Sequence, residues 1–530
     1  MSEDANLIRS SSFMGLGTII SRATGLIRNL LLVAALGTGL LGDAFNVANT
    51  TPNIIYNLLI GGALSAVFVP LIVQSFRQED GGSAYISRLL SLIASALLFI
   101  TIAAMLLAPL LISLYAPTFS GRSRDVTLAF ALYCLPQILF YGLYGILGQI
   151  ANAKEKFGPM MWAPIANNLL VIALFSYFIS VTDEISLETI SDSQIALLGL
   201  GSTVGIALQA LILIPTLKKS GLKLSFRRDW RGVGLDKAMR LASWAFIFVL
   251  ISQIGFLITV NLATRAAVLA QDQGINYGVG YTPYANAYLV MLLPHSIVTI
   301  SIVTALLPGL SKLAFDKKLS EVRDQLSKAL RLTAILTIPA SIFFFFFFAE
   351  EIANAIFFGI SEQSAEYIGR VLAAMSLGLI PLSINLVLIR GLNAFENTKY
   401  QVISNLVINL IALTISVWIF FNLDVEDITV GLGAALAISY WMGIVCTYYL
   451  LRRYSGPLKI TSLLLFHSKV ALIALISCLA ISSLLSRLDV EGNLLSLLIV
   501  LTSTFALYLA IGRVLKVSEI SQVLKVLLRR

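Results

Sequence analysis

Phe13–Leu36 reads FMGLGTIISRATGLIRNLLLVAAL. At about 1.5 Å per residue this stretch is long enough to cross the ~30 Å hydrocarbon core of a bilayer as one helix. Two arginines, Arg22 and Arg28, sit in its middle. A cation at that depth costs roughly 2.5–3.5 kcal/mol on the translocon scale, so the pair costs on the order of 5–7 kcal/mol and marks a binding or transport site.

The rest of the chain is built from similar stretches. Apolar cores fall near residues 44–75, 86–116, 126–150, 159–181, 194–217, 241–270, 281–311, 329–349, 367–392, 400–422, 429–451, 462–486 and 493–512. With the first, they predict an all-α polytopic membrane protein of fourteen helices. Composition agrees: 58% of the 530 residues are apolar and 12% charged, against about 25% charged in soluble domains. Mean hydropathy is +0.89. The first segment is too long and too charged for a cleaved signal peptide and is read as mature structure.

Charge distribution tests the count, because a missed helix would scramble the alternation of loops. The N-terminus and every second loop hold 30 of the 37 Lys and Arg, including eight from Lys218 to Arg240 and six from Lys312 to Arg331. The opposite loops hold Arg122, Arg124, Arg370 and Arg487 and collect the acids Asp183, Glu184, Glu188, Glu350, Glu351, Asp424, Glu426 and Asp427. Both termini are therefore expected in the cytoplasm. The net charge of +9 reads as membrane orientation and not as nucleic-acid binding. Cys134, Cys446 and Cys478 lie inside expected helices at unrelated positions and indicate neither a disulfide framework nor a metal site.

The chain repeats weakly at an offset of 241 residues: Asn152-Ala-Lys-Glu155 recurs as Asn393-Ala-Phe-Glu396, and Asn168 and Asn409 stand 16 residues beyond each copy. Two six-helix lobes follow, at 1–220 and 241–455, joined by the basic linker 221–240 and followed by two helices and a basic tail over 456–530. Repeated bundles of this kind enclose a substrate site and alternate its access.

In the second segment Asn46, Asn49, Asn53, Tyr56 and Asn57 share one helical face. Asn53 and Tyr56 lie about 15 and 20 Å from Asp43, while Arg28 and Arg22 lie about 12 and 21 Å below the same membrane surface. Polar groups at matching depth predict a wet cavity. Gly15, Gly17, Ser21 and Gly25 give the first segment a small-residue side for close packing, and Pro52 frees backbone groups that a cavity hydrates. Two permanent cations with Asp43 as the one nearby acid suit an anionic ligand, most naturally a phosphate or diphosphate, which arginine holds in bidentate fashion.

Other signals are weaker. Of Tyr277, Tyr281, Tyr284 and Tyr288, the outer two read as interfacial and Tyr284 and Tyr288 as candidate cavity residues, with Asn286 nearby. Arg265 reads equally as a snorkelling residue, and His295 as structural rather than proton-carrying. Asn405 and Asn409 share a face of the eleventh helix and read as a weak cation site without a carboxylate; Gln253, in the seventh, is a further amide. Phe343–Phe348 reads as lipid-facing bulk. Gly199-Leu-Gly201 with Gly205 is not a dinucleotide loop, having no strand before it, and no HExxH, Walker or GxSxG motif occurs.

Ser21-Arg22-Ala-Thr-Gly25-Leu-Ile-Arg28, Gly42-Asp43-Ala44-Phe45, Pro52-Asn53 and the run Gly62-Ala-Leu-Ser65-Ala-Val-Phe-Val-Pro70 resemble the MurJ/MviN family. These are lipid II flippases of the multidrug/oligosaccharidyl-lipid/polysaccharide exporter superfamily. The resemblance extends to Leu307-Pro308-Gly-Leu-Ser311 and to Asn393–Lys399 and covers nearly the whole chain. It implies a bacterial cell membrane and movement of undecaprenyl-diphosphate-linked peptidoglycan precursor to the outer leaflet by alternating access. It further implies a diphosphate met by Arg22 and Arg28, Asp43 in the place of an important acid, and a tail groove on the thirteenth and fourteenth helices. Membrane lipids and cell-wall synthesis proteins are the implied partners. No cofactor is implied, and Na⁺, H⁺ and the membrane potential stay open as the driving force.

The chain also departs from the family. Many members have an arginine where Tyr56 stands, an acid at Gly61, and an Asp-Arg with a nearby Glu around Tyr288 and Leu289. An exporter of another polyprenyl-linked glycan is the nearer rival; a drug exporter is disfavoured, since a cationic drug is repelled by the arginines. A membrane glycosyltransferase would need acids in a sizeable outer loop, and the first outer loop, Gly37–Asp43, has one.

Overall fold

Every regular element among the described residues is helical. The computed structural model describes residues 3–58, 69–156, 158–182, 185–229, 235–488 and 494–521. Gly61, the 62–68 part of the motif, and the acids Asp183 and Glu184 lie outside them.

Packing divides the chain into two units, Met1–Val268 and Leu269–Arg530. The first holds α1 (Glu3–Leu36), α2 (Leu40–Tyr56), α3 (Val69–Ser75), α4 (Ser83–Leu106), α5 (Ala108–Tyr115), α6 (Gly121–Cys134), α7 (Gln137–Ala153), α8 (Gly158–Val181), α9 (Asp192–Leu211), α10 (Leu213–Lys219) and most of α11 (Leu235–Asp272). The second holds α12 (Tyr281–Pro294), a π-helical turn (His295–Thr299), α13 (Ile300–Phe315), α14 (Leu319–Phe343), a second π-helical turn (Phe344–Phe348) and α15 (Ala349–Ile356). It continues with α16 (Glu362–Ser376), α17 (Leu379–Ala394), α18 (Thr398–Asn422), α19 (Val425–Ser455), α20 (Ile460–Leu488) and α21 (Leu494–Val514). The division falls within α11, beyond the linker at which the repeat divides the chain. The cause is local: Asn261 Nδ2 donates to the Leu114 carbonyl and Thr264 Oγ1 to the Tyr115 carbonyl, both at 2.9 Å, tying α11 to the end of α5.

Among the described residues eleven helical stretches are long and apolar enough to cross a membrane, and thirteen when two pairs bent by 44° each count as one. The remaining expected segment, 44–75, passes through residues outside the description. Segments expected as single helices are broken at identifiable residues. Pro109 opens α5 and Pro136 separates α6 from α7, as expected of a residue that lacks the N–H an uninterrupted helix needs. Gly378 marks the bend between α16 and α17.

Phe45 fills the first unit's centre, edge-to-face with Phe130 at 5.2 Å and with Phe175 at 5.9 Å, fastening α2 to α6 and α8. The second unit packs Leu326, Val387, Leu392 and Leu451 in one cluster and Ile335, Val470, Ile473 and Tyr508 in another. Outward-facing Phe99, Leu106 and Phe421 are more than 70% exposed, a surface suited to hydrocarbon.

The repeated tetrapeptides share one backbone turn. Glu155 and Glu396 adopt left-handed φ values of 59° and 57°. Lys156 N bonds the Ala151 carbonyl at 2.8 Å, and Asn397 N bonds the Leu392 carbonyl at 3.1 Å. This is the six-to-one closure by which helices satisfy their last carbonyls.

Two expectations for aromatic residues are corrected. Phe343, Phe344 and Phe348 are buried and only Phe346 is largely exposed; the π-helical turn rotates the run out of simple helical register. Tyr281, read as interfacial, is 4% exposed because α12 lies against α16 and α19.

Candidate substrate site

The first unit's polar centre depends on how closely α1 approaches α8. A Cβ at Gly17 would lie 2.7 Å from Trp162 Nε1, and one at Gly25 3.5 Å from Asn168 Nδ2. The small residues of α1 therefore face α8 and let the two helices meet. In that seam Asn168 Nδ2 donates to the Ser21 carbonyl and to Thr24 Oγ1, both at 3.0 Å. Its Oδ1 accepts from Arg28 Nη1 at 3.3 Å, and Arg28 Nη2 donates to Asn29 Oδ1 at 3.3 Å. Asn168 thus spans about two turns of α1 and holds the guanidinium from the opposite helix.

Arg28 is half-buried, and among the described residues no carboxylate pairs with it. Its partners are neutral amides, which orient the cation without cancelling its charge. Arg22 lies six residues earlier, about 240° around the helix, so it does not share the seam. It is exposed and makes no hydrogen bond or ion pair among the described residues. Asp43 is fully buried in the first turn of α2, where the helix N-terminus favours an acid; it forms no ion pair with either arginine.

The asparagine face of α2 meets α7. Gln137 Nε2 donates to Asn49 Oδ1 at 3.0 Å, and Asn57 Nδ2 donates to Asn53 Oδ1 at 2.7 Å. Tyr56 stacks on Tyr141 with centroids 6.0 Å apart, and Tyr141 neighbours both Asn53 and Arg28. Gln137 is 1% exposed and its Oε1 has no partner among the described residues, leaving an acceptor to be satisfied by water or ligand. The structure therefore gathers Arg28, Asn49, Asn53, Tyr56 and Asn57 around one surface of the first unit, and leaves Arg22 on another face of α1. Asn168, Gln137, Tyr141 and Asn29 belong to that surface and were missed as site residues in the sequence. Asn168 alone carried a signal, its register in the repeat.

In the second unit Tyr284 is buried and Tyr288 half-buried, both near Tyr440. Asn409 Nδ2 donates to the Asn405 carbonyl at 2.8 Å and to its Oδ1 at 3.1 Å, so the two amides engage each other. His295 Nδ1 lies 2.8 Å from Ser383 Oγ. Thr447 joins Asn385 and Ser404 in a buried network. Among the described residues no group of three or more His, Cys, Asp or Glu is placed to hold a metal. An apolar pocket of about 350 Å³ opens between α20 and α21, lined by Ala474, Cys478, Leu501, Phe505 and Tyr508 together with Phe343 and Phe344.

Comparison with known proteins supplies the family. The sequence matches the family described as Lipid II flippase MurJ over residues 32–503. It is 26% identical over 451 residues to a probable lipid II flippase MurJ of Rhizobium meliloti (strain 1021), covering 84% of this chain and 80% of that protein. It is 26% identical over 445 residues to the lipid II flippase MurJ of Burkholderia cenocepacia, covering 81% and 82%. The fold is similar to a solved lipid II flippase MurJ in an inward closed conformation, with a TM-score of 0.75 at 21% identity over 95% of this chain and 98% of that one. It is also similar to an inward-facing multidrug resistance MATE transporter of the MOP superfamily, with a TM-score of 0.66 at 12% identity over 82% and 95%. A multi-pass helical protein with this fold and a family match across most of its length belongs to the lipid II flippase MurJ family, a family of membrane transporters of peptidoglycan synthesis and not of enzymes.

Proposed function

We propose that this protein moves lipid II, an undecaprenyl-diphosphate-linked peptidoglycan precursor, from the cytoplasmic to the outer leaflet by alternating access. The observation that carries the reading is Arg28: a half-buried guanidinium held by Asn168 and Asn29 and paired with no carboxylate among the described residues. Such a group keeps its charge for a ligand, and the diphosphate supplies two adjacent anionic oxygens for the fork of an arginine. Arg22, exposed on another face of the same helix, meets the diphosphate on its way in or out and not simultaneously with Arg28. Asn49, Asn53 and Asn57 offer amides to the sugars, and the Tyr56–Tyr141 stack gives a flat face for a pyranose.

One stretch of the prenyl tail occupies the apolar pocket between α20 and α21, the rest of the chain lying in the bilayer. Both termini lie in the cytoplasm, as the loop charges require. In the second unit Tyr284 and Tyr288 are further substrate contacts, and Asn405 with Asn409 a cation position coupled to turnover. The Tyr56–Tyr141 stack, standing where many members carry an arginine, favours one rival, a different polyprenyl-linked glycan.

Complementation of a strain depleted of its own lipid II flippase tests the reading. Wild type restores growth, while Arg28→Ala and Arg22→Ala, at matched membrane levels, do not. Failure of a well-expressed wild type would shift the substrate to the other glycan; rescue by both variants would end the anion-site argument.

A further inference from the structure

A polar cavity lies in the second unit, among its basic residues. It measures about 300 Å³ and is lined by Asp324, Lys328, Arg331, Lys459, Ser462 and Glu519 among others. Arg331 Nη1 pairs with Glu519 Oε1 at 3.2 Å, Nη2 donates to Ser462 Oγ at 2.8 Å, and the guanidinium lies 5.2 Å from the Phe466 ring centre. Its Nε is buried without a partner among the described residues. Lys328 and Lys459 are exposed and make no hydrogen bond or ion pair there. Three cations thus face the carboxylates of Glu519, already engaged by Arg331, and of Asp324, exposed at the rim.

Directly beside this cavity runs an apolar groove of about 570 Å³ between α14, α17, α19 and α20. Leu463 lines both, and the neighbours Leu330 and Arg331, and Lys459 and Ile460, contribute one residue to each. Along α20 the groove extends from Ile460 to Ala471, about 17 Å at helical rise. It shares α14 and α20 with the pocket assigned above to the prenyl tail but none of its lining residues. A cationic mouth continuous with a hydrocarbon trough matches a molecule with phosphate at one end and acyl chains at the other.

We propose that the cavity and groove together bind an anionic phospholipid of the surrounding membrane, with its phosphate among Lys328, Arg331 and Lys459 and a chain in the groove. Charge complementarity selects this occupant: anionic headgroups are drawn to basic pockets between helices on the cytoplasmic side. Each lysine near a membrane surface contributes about fivefold to such binding, so the two exposed lysines together contribute roughly 25-fold.

Trp441 lines the groove and serves as the reporter. Its fluorescence in the full-length protein, taken as the difference from Trp441→Phe, is titrated with brominated phosphatidylglycerol and with brominated phosphatidylcholine in mixed micelles. The expected result is quenching by phosphatidylglycerol at a much lower mole fraction. The preference collapses to near unity in Lys328→Gln/Lys459→Gln, whose exposed, unpaired side chains leave the fold intact. Equal quenching by the two lipids, or an unchanged preference in the double variant, would overturn the proposal. So would loss of the preference on adding inorganic phosphate at the lipid's concentration, since the site would then read a free anion and not a lipid.

Discussion

Replacing Asn168 by alanine separates orientation of Arg28 from the packing of α1 on α8. The side chain makes three bonds: two neutral ones at 3.0 Å to Ser21 and Thr24, and one at 3.3 Å from the Arg28 guanidinium. Neutral interhelical bonds within membranes average about 0.6 kcal/mol, so the first two contribute roughly 1.2 kcal/mol to stability. The third is charge-assisted but long, and the low end of its range, about 1.5 kcal/mol, applies. That last amount bears on ligand binding, where about 1.4 kcal/mol is tenfold. Asn168→Ala therefore weakens binding of a prenyl diphosphate to the purified protein about tenfold and lowers the unfolding temperature modestly. In an Arg28→Ala background the same substitution costs binding almost nothing, because no guanidinium remains to be oriented. Binding within twofold of wild type, or equal losses in both backgrounds, would refute the claim that Asn168 acts through Arg28.

Other expectations are more local. Tyr56→Arg retains transport, because a guanidinium stacks on the Tyr141 face about as well as a phenol does; lost transport with normal insertion would disprove the shared surface. Gly369→Ala lowers thermal stability in detergent by about 1–3 kcal/mol, since its Cβ would sit 2.6 Å from Glu350 Cα and the backbones of α15 and α16 cannot yield; an unchanged melting curve would contradict this packing. Burial raises the Glu519 carboxyl, but bonds from Ser518, its own backbone and Arg331 outweigh burial and hold it below the usual glutamate range. Its stabilisation of the segment after α21 is therefore complete above the ordinary glutamate pKa and lost as pH falls through the lowered folded value. Hydrogen-exchange protection at residues 517–521, after correction for the intrinsic pH dependence of amide exchange, should fall only in that acidic window, and this loss should be absent in Glu519→Gln.

Membrane class and helix positions were legible because apolar run length and loop charge are one-dimensional signals. Breaks within spans were only partly so: Pro136 lies in plain sight, but the π-helical turns at His295 and Phe344 depend on packing that no local pattern states. Arg22 and Arg28 stood out for their cost, yet depth alone does not reveal facing, and a six-residue spacing sends them to different sides of α1. Asn168 illustrates the harder case. An asparagine in an apolar helix is unremarkable until the glycines of α1 bring its partner close.

The left-handed helix ends at Glu155, Lys317, Glu396 and Lys516 all fall in the set of loops that collects the lysines and arginines. Glycine would close each of these turns with less steric cost. Yet, in the orientation proposed above, Lys317 and Lys516 are also among the charges that retain their loops in the cytoplasm during insertion. At these two turns the demands of biogenesis and of the finished fold diverge. Glycine would ease the folded backbone while weakening the signal by which the nascent chain acquires its orientation, so a variant stabilised there would be made correctly oriented less often.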